Sequence, residues 1–282
     1  CFLCPYNPQE IYPVNFAKSK GCSGILPMNE VSLEASLKFK ICQGRPSPGR
    51  IAERFFGVPN RKECDNMNNH LPAACDACAA KPCRSGDLST APKNCPSLGV
   101  SPEESLARYS QEDRRTACIA AEVECDGYCR LTRVEEIMEY TRRCGYRKLG
   151  LAFCAGLSKE AGILARILRG NGFEVVSVCC KNGSVSKDQL GIPKEKQLKR
   201  GEAFEAMCNP AGQAAVLNEA GCELDLLLGL CVGHDTLFIK NAGAPITVVA
   251  VKDRVTGHNP LAPIYTFDSY GKRLLPYRFV GE

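Results

Sequence analysis

Short apolar runs alternate with helix-like segments through the second half of the chain. The strand-like runs cover residues 148–154, 174–180, 224–231 and 246–251. The helix-like segments between them cover residues 158–170, 210–220 and about 235–242. Such alternation is typical of a parallel sheet, because each parallel strand needs a long crossover connection to reach the next. We therefore predict that residues 146–282 form an α/β domain with a Rossmann-like parallel sheet flanked by helices.

The first half of the chain lacks this alternation and divides into three parts. Residues 1–72 carry scattered Cys, Pro and Gly, which predicts a Cys-rich, loop-rich N-terminal module. Residues 73–100 are too short and too polar to bury a core of their own. Residues 101–145 have a helical pattern, with helix-start signals at Ser101 and Thr132.

Three of the four strand-like runs end in cysteine. These residues are Cys154, the adjacent pair Cys179 and Cys180, and Cys231. The carboxyl ends of parallel strands meet at one edge of a sheet, in the crevice where ligands bind, so separate stretches bring their thiols to one place. Cysteine sulfurs suit iron–sulfur clusters and zinc. We predict a cofactor there, with [4Fe–4S] as the expected cluster; the alternative is that these cysteines are small core residues.

Cys208 belongs to the same predicted site by a different argument. Asn209 is a typical N-cap and Pro210 a typical first helical residue, so Cys208 lies just before a helix. His258 precedes Asn-Pro in the same way. The amino terminus of a helix lowers the pKa of a thiol and favours a bound anion.

Polar side chains follow the predicted strands at this edge and are candidates for catalysis. They are Lys181, His234, Lys252, Arg254 and His258. The two histidines could transfer protons, and the cations could hold an anionic substrate. The alternative is that they are ordinary loop charges. The charged segment 181–202 is long enough to form a lid, although it could equally be a solvated connection.

A second group of cysteines lies in residues 73–100. Its members, Cys75, Cys78, Cys83 and Cys95, have the spacing C-x2-C-x4-C-x11-C. The spacing indicates a metal that folds this coreless segment, either zinc or a second iron–sulfur cluster, and it matches neither common ferredoxin pattern. A further metal site is expected among the N-terminal cysteines, which are Cys1, Cys4, Cys22, Cys42 and Cys64.

Composition places these thiols in a reducing compartment. The 282 residues include 19 cysteines, an odd number that fits poorly with a complete set of disulfides. The chain has no apolar run of membrane-spanning length and no secretory leader, so we expect a cytoplasmic protein. Thiolate ligands would offset the formal net charge of +5, which therefore does not indicate nucleic-acid binding. Dinucleotide-binding, P-loop and serine-hydrolase motifs are not found.

Several motifs together resemble a known family. They are Ala-Pro-Lys-Asn-Cys95-Pro, Leu-Ala-Phe-Cys154-Ala-Gly-Leu, Val-Ser-Val-Cys179-Cys180-Lys, Met-Cys208-Asn-Pro, Gly-Leu-Cys231-Val-Gly-His234-Asp and Lys-Asp-Arg254-Val-Thr-Gly-His258-Asn-Pro. Over residues 73–266 the chain resembles a bacterial and archaeal domain of unknown function whose members are labelled uncharacterised metal-binding proteins. The resemblance implies metal binding but no defined activity.

Three functions follow from these patterns. The first is an iron–sulfur protein with a redox or Lewis-acid cluster, acting as an oxidoreductase or in desulfurisation, with a small-molecule substrate or an electron-transfer protein as partner. The second is a non-catalytic zinc-binding sensor or binding module. The third is a thiol or sulfur relay through Cys179 and Cys180.

Overall fold

The computed structural model describes residues 72–277 and 279. Cys1, Cys4, Cys22, Cys42 and Cys64, and with them nearly all of the predicted module 1–72, lie outside the described residues. The chain divides into two compact units between Arg108 and Tyr109.

The described part of the first unit consists of turns and one short helix. Three single 3-10 turns cover Cys75–Ala77, Pro82–Arg84 and Leu88–Thr90. The helix, α1, covers Pro102–Ala107 and starts after Ser101, as the sequence predicts. A capping box forms there, in which Glu104 N–H donates to Ser101 Oγ at 3.1 Å. Between residues 72 and 108 only Pro82 is buried.

The second unit begins with two helices. Helix α2 covers Gln111–Gly127, and α3 covers Arg133–Cys144. Thr132 and Glu135 form a capping box at the start of α3. Gly145 ends the helix with φ 82°, a left-handed conformation that favours glycine.

Four parallel strands then alternate with helices, as the apolar pattern predicts. The strands are β1 Lys148–Phe153, β2 Glu174–Cys179, β3 Leu224–Leu228 and β4 Ile246–Ala250. The helices are α4 Ser158–Gly170, α5 Pro210–Glu219, α6 His234–Asn241 and α7 Ala262–Tyr265, with further 3-10 turns at Ala155–Leu157, Lys194–Lys196 and Tyr270–Leu274. The strand order is β2-β1-β3-β4, so the prediction of a parallel α/β sheet is confirmed.

Helices cover both faces of this sheet. On one face, Ile137 of α3 and Leu164 of α4 pack in a cluster with Leu151 and Leu226. The cluster on the other face contains Ala214 and Leu217 of α5 and Phe238 of α6. Because side chains alternate between the faces of a strand, the Leu-rich strands β1 and β3 contribute to both clusters.

One acid interrupts the apolar run of β3. Asp225 is fully buried, and neither oxygen of its carboxyl group has a hydrogen-bond partner. Burial raises the pKa of Asp225 to about 6, because an unpaired carboxylate is poorly solvated there. Gly150, its partner on the neighbouring strand, has no side chain and therefore leaves room for the Asp225 carboxyl group.

The helices of the described chain are all too short or too polar to cross a bilayer.

Candidate thiol-lined site at the sheet edge

A cavity of about 380 Å³ lies at the carboxyl edge of the sheet in the second unit. The register explains its position, because Phe153 of β1 pairs with both Cys179 of β2 and Leu228 of β3. The three strands therefore end at one level. Four thiols line the cavity, from Cys154, Cys180, Cys208 and Cys231.

Cys154 directly follows β1. Its N–H donates to Leu228 O at 3.1 Å, which fixes the backbone against the end of β3. Its carbonyl accepts from Leu157 N–H at 2.8 Å, so the chain turns here toward α4. The residue is 9% exposed.

The structure distinguishes between the adjacent cysteines after β2. Cys180 lines the cavity and is 2% exposed, whereas Cys179 is not part of the cavity wall. The N–H of Cys180 donates to Phe153 O at 2.9 Å, and its Sγ accepts from Ala155 N–H at 3.3 Å. The sequence left both residues as candidates, since their position at the strand end is nearly the same.

Cys208 is held by the cap of α5. Asn209 is the N-cap, as predicted, and its Oδ1 accepts from Gly212 N–H at 2.9 Å. The backbone N–H of Asn209 donates to Cys180 O at 2.8 Å, and Asn182 Nδ2 donates to Asn209 O at 3.0 Å. These bonds fix Cys208 beside Cys180.

Three of the thiols affect one another's pKa values, and Cys180 is the neighbour that the other two share. The Cys180 thiol favours the thiolate forms of Cys154 and Cys208, which lowers the pKa of each to about 5 and raises the pKa of Cys180. Lys252 near Cys154 and Lys181 near Cys208 lower the same pKa values further, because a cation favours the thiolate.

The cations lie close to the thiols. Lys181 Nζ is 3.4 Å from Cys208 Sγ and donates to Ala206 O at 2.6 Å. Arg254 Nη2 donates to Cys231 Sγ at 3.3 Å, and this hydrogen bond, followed by the charges of the nearby thiols, raises the pKa of Arg254. Lys252 and His234 also line the cavity. Four of the five polar residues that the sequence selected therefore lie in the cavity wall.

The fifth, His258, is not among the residues that line this cavity. The imidazole Nδ1 of His258 accepts from the backbone N–H of Asp253 at 3.1 Å, and the backbone N–H of His258 donates to Asp253 O at 2.8 Å. The Asp253 carboxylate in turn accepts from Val255 and Thr256 N–H. His258 is thus part of the turn that presents Lys252 and Arg254.

The segment between β2 and α5, which the sequence left open as a lid or a solvated connection, contributes a wall of the cavity. Its apolar side chains in the cavity are Leu190, Ile192, Leu198 and Met207. A salt bridge between Lys187 and Glu205 joins the two arms of this segment, and Ser186 pairs with Ala206 in an isolated antiparallel bridge. Isolated apolar residues in a charged segment were the only signal for this role.

The four cysteines of residues 73–100 line a different cavity, of about 300 Å³, within the first unit. Among the described residues, no group of three or more His, Cys, Asp or Glu side chains has an arrangement that could hold a metal ion.

The fold and the site define a parallel α/β protein with a cysteine-lined cavity at the carboxyl edge of its sheet. The chain belongs to DUF1847, a family described as protein of unknown function, which it matches over residues 95–249. An uncharacterised protein of Methanocaldococcus jannaschii is 47% identical to it over 171 residues, which are 60% of this chain and 86% of the relative. No solved structure matches the chain significantly.

Proposed function

We propose that the second unit holds an iron–sulfur cluster through Cys154, Cys180, Cys208 and Cys231. The observation that supports this most is that four thiols from four separated segments line one cavity. Thiolate is the preferred ligand of such clusters, and four cysteines complete the usual set. A cluster also needs room for its inorganic atoms, which a cavity offers and a tight group of sulfurs does not.

The charges around the thiols fit this proposal. A cluster with four thiolate ligands is anionic, and Lys181, Lys252 and Arg254 would offset that charge in a partly buried site. The Ala155 N–H that points at Cys180 Sγ would add a hydrogen bond to the ligand sulfur. Ligation deprotonates the thiols, so loading of the cluster would release their protons.

We further propose that the site acts on a small molecule as an oxidoreductase or in desulfurisation. A bound cluster would supply redox or Lewis-acid chemistry. His234 would hold or donate a proton at the cavity wall, and Arg254 and Lys252 would bind an anionic group of the substrate. The apolar side chains at Leu190 and Ile192 would limit access of water.

Metal analysis of the full chain purified under argon tests this proposal. We expect iron and labile sulfide together with broad visible absorbance that dithionite bleaches. Cys180→Ser should remove about four irons per chain, as expected for [4Fe–4S]. Cys179→Ser is the matched control, because this neighbouring thiol is outside the cavity wall. Zinc without iron would contradict the proposal and favour a zinc sensor.

The thiols of Cys154, Cys180 and Cys208 line one cavity, and this supports a second candidate, a sulfur relay. In this case Cys180, rather than the pair Cys179 and Cys180, would be the central thiol, and the low pKa of its neighbours would favour the nucleophilic thiolate. In the metal-free protein a cavity thiolate would attack the outer sulfur of a donor persulfide, the donor would leave as its thiolate, and the cavity cysteine would then carry the persulfide. Mass spectrometry after alkylation should find one additional sulfur atom on a cavity cysteine.

A further inference from the structure

The second cysteine group is brought together by the backbone of residues 73–100 alone. Cys75 begins one 3-10 turn and Cys83 lies in the next, while Cys78 N–H donates to Cys75 O at 3.3 Å. Cys95 is positioned by its N–H bond to Pro92 O, at 2.8 Å. All four thiols line the cavity of about 300 Å³.

Burial does not explain how this segment keeps its shape. Pro82 is its only buried residue, and the longest regular element has three residues. Lys81 has φ 44° and ψ 52°, a left-handed conformation that costs a residue with a side chain about 1 kcal/mol. A bound group that joins distant thiols would offset this cost, as in small domains that fold only with their metal.

The composition of the cavity wall selects the type of ligand. Together with the cysteines, the wall contains two cations, Lys81 and Arg84, and neither a carboxylate nor an imidazole. The ligand should therefore bind sulfur and form an anionic complex with it. Metals that prefer oxygen or mixed nitrogen and oxygen ligands do not fit.

Spacing and space favour a cluster over a single zinc ion. Structural zinc sites of four cysteines usually combine two close pairs, and this segment has only one C-x2-C pair. Iron–sulfur motifs combine three close cysteines with a distant fourth, and in the bacterial pattern that residue precedes proline. Cys75, Cys78 and Cys83 are close in sequence, and distant Cys95 precedes Pro96. The four thiols line a cavity of about 300 Å³, which offers room for the inorganic atoms of a cluster.

We propose that Cys75, Cys78, Cys83 and Cys95 ligate a [4Fe–4S] cluster that folds residues 73–100 and is independent of the site at the sheet edge. The ligands and the cavity belong entirely to the first unit. The proposal therefore stands whether or not the sheet edge binds a cluster.

The test compares two variants of the full chain with one control. Cys83→Ala and Cys95→Ala should each lose about four irons and four sulfides per chain. Cys118→Ala, which removes an exposed thiol on α2, should lose none. Trypsin should cleave faster after Arg84 and Lys93 in the two variants, while the helical circular-dichroism signal of the chain stays unchanged.

Combining each variant with Cys180→Ser separates this proposal from the function proposed above. If both clusters exist, the losses of iron should add. Loss of iron in Cys83→Ala but not in Cys180→Ser would overturn only the sheet-edge cluster. Unchanged iron in both Cys83→Ala and Cys95→Ala, or loss of one zinc in place of iron, would overturn the present proposal.

Discussion

Arg254 Nη2 donates a hydrogen bond to Cys231 Sγ at 3.3 Å, although the two residues come from the segments that follow different strands. The thiols of Cys154 and Cys208 contribute to the electrostatic environment of the same guanidinium. Arg254 is thus a cation shared by much of the site rather than the partner of one sulfur. Its charge should influence any reaction that changes the charge in the cavity.

Replacing Arg254 should shift the reduction potential of the proposed cluster. Reduction adds negative charge, and a nearby cation makes that addition more favourable. Arg254→Gln should therefore lower the midpoint potential by tens of millivolts, measured by an EPR-monitored redox titration. Arg166→Gln on α4 removes the same charge from an exposed position outside the cavity wall and should leave the potential unchanged. Equal potentials in wild type and Arg254→Gln would contradict this role.

Gly150 should not tolerate a side chain. A Cβ at this position would clash with Asp225 Oδ1 and lie 2.8 Å from Leu217 Cδ1. Gly150→Ala should therefore lower the free energy of unfolding by about 1–3 kcal/mol, as overpacking of a core does. Gly162→Ala in α4 is the control, because a Cβ there would have no heavy atom within 4 Å outside its own helix backbone and chain neighbours. It should raise stability by about 0.5–1 kcal/mol in urea unfolding.

The buried carboxyl of Asp225 should make stability depend on pH. Its pKa is about 6 when folded and about 4 when unfolded, so the folded state binds the proton more tightly. The contribution of Asp225 to stability is therefore fully present below pH 4 and is lost as pH rises through 6, by about 3 kcal/mol in total.

Asp225→Asn removes this titration without changing the shape of the side chain. The variant should gain stability relative to wild type between pH 4 and 6, measured by urea unfolding of metal-free protein. If the free energies of unfolding of wild type and Asp225→Asn differ by the same amount at every pH between 4 and 6, Asp225 does not titrate in this range.

The salt bridge of Lys187 and Glu205 should hold the segment that walls the cavity. Bonding to Lys187 and to the Lys199 N–H lowers the pKa of Glu205 to about 2, so the bridge persists until strongly acidic pH. Glu205→Gln should accelerate tryptic cleavage between residues 187 and 200 at neutral pH. Glu202→Gln, at an exposed position of the same segment, should not. Equal cleavage rates would exclude the bridge as the main restraint.

The sheet and its cysteine edge could be predicted because both depend on local patterns. Apolar runs with crossover helices determine a parallel sheet, and a strand end determines which edge its last residue reaches. Asn209 and Pro210 likewise identified the start of α5, which places Cys208. In each case the signal lies within a few residues of the feature that it predicts.

The remaining features depend on contacts between distant segments. The choice of Cys180 over Cys179 follows from how the chain leaves β2 and bonds to Ala155 and Phe153. Asp225 could have been noticed as a single acid in an apolar run, but only its neighbour Gly150 explains where the side chain fits. The apolar wall likewise depends on the pairing of Lys187 with Glu205.

The order of the strands also bears on biosynthesis. Cys154 and Cys231 come from neighbouring central strands, but β2 and α5 are synthesised between them. A nascent chain therefore cannot present the complete set of sulfurs until β3 has emerged from the ribosome and inserted beside β1. Delivery of the proposed cluster to this edge would have to wait for that insertion.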